Sequence, residues 1–314
     1  MTKTDEKGAL CNILALDGGG AKGFYTLGIL DEVEALLGKP LAGHFDLIFG
    51  TSTGAIIASL LALGKSVDEV YQSYCDHIPS IMREKSKAGK SKALQKVGQA
   101  VLGEQTFEAV KTGLGIVSVK WQLETPMIFK SLATQAHGRR ATFVPGFGCT
   151  IAEAVEASCS AYPFFERKII ETATGDKVEL IDGGYCANNP ALYAIADATV
   201  ALKFAPEDCR LLSLGCGHYP EPKQPLLNRA IKSFLPIQLL QKTLNVNTVS
   251  MDVLRTVLFS NVPTVRISDT FATPDMATDL FEYDMDKLNL LRQRGRESFG
   301  KRETELRALM IEEK

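Results

Sequence analysis

Apolar residues occur along the chain as short runs that alternate with longer stretches of helical periodicity. Residues 12–16 form one such run, and residues 27–37 then carry leucine or valine at about every third or fourth position. Residues 45–49 and 55–63 repeat this arrangement. Because a short apolar run followed by a helical repeat is typical of a strand and its crossover helix, the pattern predicts two successive strand–helix units.

The rest of the chain continues the alternation. Ser66 and Thr150 each begin a capping box with a glutamate three residues later, which predicts helices reaching about residues 78 and 158. Further strands are predicted at residues 127–130, 142–144, 178–181, 210–214 and 264–267, and helical regions at residues 226–260 and from Tyr283 onward, the last interrupted by Gly295 and Gly300. Strands alternating with helices predict an α/β fold with a mainly parallel sheet flanked by helices. Ligands of such folds bind outside the carboxyl ends of the strands.

Bulk composition narrows the class of protein. The 314 residues can form one large domain or two small ones, and the 45% of hydrophobic residues is enough for a sizeable core. The net charge is −2, which argues against nucleic acid as a partner.

The sequence predicts a cytoplasmic protein. Its first eight residues are polar and do not resemble a secretory signal. The most apolar stretch, residues 55–63, is too short to span a bilayer, so we expect any membrane contact to be peripheral. The seven cysteines include no Cys-x-x-Cys pair, which favours reduced thiols over disulfides and predicts no metal site.

Residues 83–96 are unusually basic. They contain six lysines or arginines and one acid among serine, glycine and alanine residues. This composition predicts a mobile insertion, either an inert surface loop or a lid or sensor for an anionic ligand.

A Gly-x-Ser-x-Gly motif carries the strongest chemical signal. Gly50, Ser52 and Gly54 lie between the predicted strand at 45–49 and the helix at 55–63. That context matches a nucleophile elbow, in which small neighbours allow a sharp turn to present the serine hydroxyl. The positive end of the following helix would favour a developing oxyanion.

A glycine-rich loop follows the first predicted strand. Gly18, Gly19, Gly20, Lys22 and Gly23 place bare amides at the start of a helix, where they can hold a phosphate or an oxyanion. The spacing also fits a dinucleotide fingerprint, but the second strand does not end in the acidic residue such a site requires. An oxyanion hole beside Ser52 fits best.

A base must activate the serine, and two candidates remain open at this point. Asp182, followed by Gly183 and Gly184, comes directly after a predicted strand. His218 completes the chain order Ser52, Asp182, His218 of α/β-hydrolase triads, although several strands precede the nucleophile in those enzymes and only one does here.

These motifs resemble those of the patatin-like phospholipase family, which has a glycine-rich oxyanion loop, a Gly-x-Ser-x-Gly nucleophile and an Asp-Gly-Gly or Asp-Gly-Ala base in this order. Residues 158–163, 187–190 and 212–215 are also similar to family segments, so the resemblance covers about residues 12–217. It implies a three-layer fold in a single domain over residues 1–314, with a helical C-terminal region at 226–314. Lys22 stands where the family often has arginine, which places any bidentate role there in doubt.

The resemblance also implies a mechanism and partners. The family uses a Ser-Asp dyad without histidine or cofactor, which makes Asp182 the base for Ser52 and the amides of Gly18, Gly19 and Gly20 the oxyanion hole. Its substrates are lipid acyl esters, so the partners are membrane phospholipid and the bilayer surface. Bacterial members resemble anti-phage effectors that a cyclic oligonucleotide, such as a cyclic dinucleotide, activates. The oligomeric state stays open between a monomer and a homo-oligomer, and the alternative function is a nucleotide-binding or scaffold protein without turnover.

Overall fold

The computed structural model describes residues 10–138, 140–221 and 234–311. The strands are β1 (Cys11–Leu16), β2 (Leu47–Thr51), β3 (Gly113–Lys120), β4 (Thr125–Lys130), β5 (Lys168–Glu171), β6 (Lys177–Asp182), β7 (Cys209–Leu214) and β8 (Thr264–Ile267). The helices are α1 (Gly23–Leu37), α2 (Thr53–Ala62), α3 (Val67–Arg83), α4 (Lys87–Val101), α5 (Ile151–Ser158), α6 (Gly184–Ala187), α7 (Ala191–Ala196), α8 (Phe234–Leu258), α9 (Met285–Gly300) and α10 (Glu303–Met310).

All eight strands join one sheet in the order β5-β6-β3-β2-β1-β7-β8, with β4 also paired to β3. The five strands from β3 to β8 along this order are parallel to one another, whereas β4, β5 and β6 pair antiparallel. The predicted α/β class with a mainly parallel sheet is therefore confirmed.

Helices cover both faces of this sheet. Ile13 and Ala15 of β1 pack with residues of α7 on one face, while Leu14 and Leu16 join the larger core formed with α1, α2 and α5. Alternate residues point to opposite faces of a strand, so a run that is apolar at every position is buried on both sides. The result is the three-layer arrangement that the sequence predicted.

Several sequence predictions need correction. Residues 142–144 form no strand, because the backbone turns through left-handed conformations at Gly146, Phe147 and Gly148 immediately afterwards. β3 and β5 were missed, the former because Gly113 and Gly115 interrupt its apolar pattern. Gly295 does not interrupt α9, and residues 226–233 of the predicted C-terminal helical region lie outside the described residues.

The basic segment at residues 83–96 is helical rather than a loop. Ser86 caps α4 by accepting a hydrogen bond from the amide of Gly89. Lys90 is 8% exposed, donates from Nζ to the carbonyl of Met82 at 2.9 Å and lies 4.8 Å from the ring centroid of Phe281. Its aliphatic stem is buried while its ammonium group is hydrogen-bonded, so a lysine occupies a core position of the helix.

Candidate active site

Ser52 lies in the tight turn between β2 and α2. Its backbone has φ 53° and ψ −122°, a conformation that residues other than glycine rarely adopt. A Cβ on Gly50 would lie 2.2 Å from the carbonyl oxygen of Gly54, and one on Gly54 would lie 2.2 Å from that of Leu16. The two glycines are therefore required for the chain to make this turn.

The hydroxyl and the amide of Ser52 are both held by neighbouring residues. Ser52 Oγ donates to Asp182 Oδ2 at 2.7 Å. The Ser52 amide donates to Ser158 Oγ at 2.8 Å, and Ser158 Oγ donates in turn to the carbonyl of Val117 at 2.5 Å. The strained elbow is thus fixed between β3, α5 and the end of β6, with the serine hydroxyl directed at a carboxylate.

Asp182 is a buried carboxylate without an ion-pair partner among the described residues. It is 3% exposed, and its second oxygen, Oδ1, accepts the amide of Gly184 at 2.7 Å. Burial raises its pKa from 3.8 to about 6, while the hydrogen bonds from Gly184 and Ser52 oppose the rise. A carboxyl group with this pKa is ionised at neutral pH and is a stronger base than an exposed aspartate.

The glycine-rich loop offers two free amides rather than three. The amide of Gly18 donates to the carbonyl of Asn188 at 3.0 Å, so it is not available as an oxyanion donor, contrary to the prediction. Within the described residues, the amides of Gly19 and Gly20 donate no hydrogen bond, and both residues line the same small pocket as Ser52 and Asp182. These two amides suit a developing oxyanion.

Comparisons with known proteins bear on this site. A model of the patatin-like phospholipase family matches residues 14–195, a range that includes Ser52, Asp182 and the glycine-rich loop. The chain is 63% identical to a cUMP-AMP-activated phospholipase of Escherichia coli, over 96% of this chain and 94% of that protein. The chain belongs to the patatin-like phospholipase family.

More distant relatives agree. A cGAMP-activated phospholipase of Escherichia coli is 26% identical over 65% of this chain and 61% of its own length. Rat calcium-independent phospholipase A2-gamma is 28% identical over 68% of this chain, which spans only 29% of that longer protein. The crystal structure of VipD from Legionella pneumophila shares the fold, with a TM-score of 0.50 at 12% identity over 98% of this chain and 70% of that one. This patatin-like protein is thus a lipid acyl hydrolase, and the scaffold alternative is not supported.

His218 does not line the pocket that contains Ser52 and Asp182 in this patatin-like protein. Its backbone is bonded to Asp269 and Phe271, and no hydrogen bond of the described residues joins its ring to Ser52 or Asp182. Burial lowers its pKa, and so do the charges of Lys22 and Arg266. The geometry gives the Ser52, Asp182, His218 triad no support.

The remaining residues of the predicted motifs make contacts that position the loops of the site. Lys22 is 3% exposed, burial lowers its pKa, and its Nζ lies 6.0 Å from the ring centroid of Tyr219. A Cβ on Gly23 would lie 2.6 Å from Thr53 Oγ1, so Gly23 allows α1 to approach α2. A Cβ on Gly183 would lie 2.2 Å from the carbonyl oxygen of Val117, which keeps the base motif close to β3.

Two supporting residues were not singled out from the sequence. Arg266 of β8 binds both carboxylate oxygens of Asp17, at 2.9 and 2.5 Å, and so fixes the start of the glycine-rich loop. Asn247 of α8 accepts from the amide of Asn188 at 2.8 Å and donates to the carbonyl of Cys186 at 2.9 Å. Both are distant in sequence from the motifs that they support, so only the fold brings them together.

The pocket at Ser52 is narrow and apolar. Its volume is about 50 Å³. The apolar lining residues come from α2, α3, α4 and α8 and from the loops that follow α5 and precede α9, and include Ile56, Ile81, Leu94, Phe165, Leu244 and Phe281. Such a lining suits a fatty-acyl chain, although the space within the pocket is small.

Proposed function

We propose that this protein is a phospholipase of the A type that cleaves acyl esters of membrane phospholipids through a Ser52–Asp182 dyad and is activated by a cyclic dinucleotide. The observation that carries the dyad is the 2.7 Å hydrogen bond between Ser52 Oγ and Asp182 Oδ2 in a buried, apolar site. Membership of a family of lipid acyl hydrolases supports the substrate class.

In this mechanism Asp182 removes the proton of Ser52 Oγ as that oxygen attacks the ester carbonyl carbon. The carbonyl oxygen becomes an oxyanion that the amides of Gly19 and Gly20 stabilise. Asp182 then gives the proton to the departing alcohol oxygen, which leaves an acyl group on Ser52. Water, deprotonated by Asp182, releases the fatty acid and restores the serine.

Activation by a ligand is supported by the narrowness of the pocket. A volume of about 50 Å³ is too small for a fatty-acyl chain, so we expect α4 and α8, which contribute Leu94 and Leu244 to the lining, to move when a lipid binds. Two relatives are named for activation by a cyclic dinucleotide, cUMP-AMP in one and cGAMP in the other. A ligand that binds the open state more tightly would shift the population toward it.

We propose that the outer face of α8 contacts the membrane. Leu244 on the inner face lines the catalytic pocket, and Val246, Val249, Val253 and Val257 are between 52% and 70% exposed. At about 100° per residue these four valines form one stripe of the helix. No helix in the described ranges is long and apolar enough to cross a bilayer. The stripe can instead lie in the interface, next to the pocket that receives the lipid.

Fatty-acid release from phospholipid vesicles tests the proposed activity. The wild type should release fatty acid when cyclic UMP–AMP or cyclic GMP–AMP is added, and little without it, whereas Ser52→Ala should release none in either case. Release by Ser52→Ala would contradict the assignment of the nucleophile. Equal release with and without nucleotide would contradict the activation.

A charge placed in the α8 stripe tests the membrane contact. Val249→Asp combined with Val253→Asp should reduce vesicle binding and vesicle hydrolysis several-fold, since a charge disfavours the apolar interface, while hydrolysis of a soluble short-chain ester is kept. Ile169→Asp is the matched control, because Ile169 is 60% exposed on β5 rather than on α8. Unchanged vesicle binding by the double variant would contradict the role of α8.

A further inference from the structure

A second and much larger cleft lies outside the catalytic pocket. Its volume is about 480 Å³, and it shares no lining residue with the pocket at Ser52. Its walls are the β3–β4 hairpin, residues 135–137 and 142–147, and the turn between β5 and β6. The proposed reaction uses none of these residues, so the cleft needs a separate explanation.

The rim of the cleft holds an aromatic residue in a strained conformation. Phe147 has φ 58° and lies between Gly146 and Gly148, which have φ 56° and 85°. Its ring is 40% exposed and packs edge-to-face on Phe129 with centroids 5.8 Å apart. Left-handed backbone at a residue other than glycine costs about 1–2 kcal/mol, and strained residues of this kind cluster at functional sites. Five non-glycine residues of the described chain have positive φ, and Ser52 is another of them.

The cleft also contains cationic groups. Lys120 forms no ion pair or hydrogen bond through Nζ within the described residues, so its charge is available to a ligand. Lys130 Nζ and His137 Nε2 lie 2.5 and 2.6 Å from the same oxygen of Asp197, a carboxylate that is 1% exposed. This buried acid fixes the wall of the cleft, and Lys120 is the lysine of the described lining that has no ion-pair partner.

The turn between β5 and β6 supplies hydrogen-bonding groups on another side. Asp176 accepts from Thr174 Oγ1 at 2.6 Å, and both residues line the cleft. The cleft therefore combines an exposed aromatic ring, a free ammonium group and a carboxylate with adjacent hydroxyls. A fatty-acyl chain has no use for the last two, whereas a nucleotide uses all three.

We propose that this cleft binds the activating cyclic dinucleotide, an inference that rests on the proposed activation by such a ligand. The ring of Phe147 stacks on a base, the ammonium group of Lys120 pairs with a phosphodiester, and Asp176 accepts a hydrogen bond from a base N–H group. The catalytic pocket is unsuited to this ligand, because it is about 50 Å³ in volume and lined mainly by aliphatic and aromatic side chains.

Two strands lead from the cleft to the dyad. β6 begins next to the cleft lining residue Asp176 and ends at Asp182, about 13 Å from Val178 at roughly 3.3 Å per residue. On β3, Lys120 is the partner of Leu180 and Ser118 is the partner of Asp182. A ligand that draws Lys120 and the β5–β6 turn together would therefore act on the strands that position the catalytic base.

Calorimetric binding of cyclic UMP–AMP and cyclic GMP–AMP to the full chain tests this site. Phe147→Ala should weaken binding about 5- to 100-fold, as expected for a lost base–aromatic stack. Lys120→Gln should weaken it about 10-fold and make it less sensitive to salt, because a charge-assisted contact is lost. Lys39→Gln, an exposed lysine near the end of α1, is the matched control and should bind as the wild type does.

The outcomes separate this inference from the proposed function. Wild-type affinity in both Phe147→Ala and Lys120→Gln, together with nucleotide-stimulated hydrolysis by the wild type, would overturn the site and leave the activation standing. Absence of binding and of stimulation in the wild type would overturn the activation and the site with it. Weakened binding in both variants, with a matching rise in the nucleotide concentration needed for half-maximal hydrolysis, would establish the cleft as the activator site.

Discussion

Asp17 and Asp182 are two buried carboxylates at the same edge of the sheet, and three glycines follow the first and two the second. Asp17 is 2% exposed and Asp182 is 3% exposed. Burial raises the pKa of both carboxyl groups, but they differ in their partners. Both oxygens of Asp17 bind the guanidinium group of Arg266, whose charge opposes the rise, whereas Asp182 has, among the described residues, the hydroxyl of Ser52 and the amide of Gly184. A carboxylate paired with a buried guanidinium group holds a loop in place, and one hydrogen-bonded to a serine hydroxyl can accept the proton of that hydroxyl.

The largest expected effect is that of Asp182→Asn on turnover. The amide cannot accept the proton of Ser52, so we expect hydrolysis to fall on the order of 10³-fold or more. Urea unfolding at pH 7 should show equal or greater stability, because the variant removes an uncompensated buried charge. Substantial remaining activity would show that another group is the base.

Asp17→Asn should lower the stability of the fold, which Asp182→Asn is not expected to do. It leaves the guanidinium group of Arg266 buried without a counter-ion, and we expect the free energy of unfolding to fall by about 4 kcal/mol. Glu303→Gln, which removes an exposed pair with Arg307, is the control and should change stability by about 1 kcal/mol or less. If Asp17→Asn unfolds at the same urea concentration as the wild type, the ion pair of Asp17 with Arg266 does not stabilise the fold, which would contradict the structural role of Asp17.

The pKa of Asp182 should also have a smaller effect, on how the free energy of unfolding depends on pH. Its pKa is raised from 3.8 to about 6 on folding, so protonation favours the folded state. The stabilisation is present below about pH 4 and is lost as the pH rises through about 6, by roughly 3 kcal/mol at 1.4 kcal/mol per pKa unit. The difference in unfolding free energy between wild type and Asp182→Asn should follow this curve, and a constant difference would contradict the raised pKa.

The site residues that could be predicted from the sequence are those that belong to short motifs. Gly50 and Gly54 identify the elbow around Ser52 because a Cβ at either glycine would lie 2.2 Å from a backbone carbonyl oxygen. Asp182 could be proposed as the base only through the family resemblance, since an Asp-Gly pair is more often a turn.

Features that depend on tertiary contacts could not be predicted. β3 is central, yet its Gly115 weakens the strand pattern and is needed only because a Cβ there would lie 2.2 Å from the ring of Phe49. The helix α4 looked like a mobile loop because its lysines suggest solvent, and only packing against Met82 and Phe281 makes Lys90 a core residue. The occupied amide of Gly18 likewise depends on Asn188, a residue 170 positions away.

The pH dependence of kcat/KM, measured on a soluble ester for the wild type and His218→Ala in the presence of the activating nucleotide, tests the central claim most directly. If Asp182 is the base and no histidine takes part, activity rises with a single apparent pKa near 6, set by the burial of that carboxyl, and His218→Ala gives the same curve. Loss of activity in His218→Ala, or a changed apparent pKa in that variant, would contradict the Ser52–Asp182 dyad.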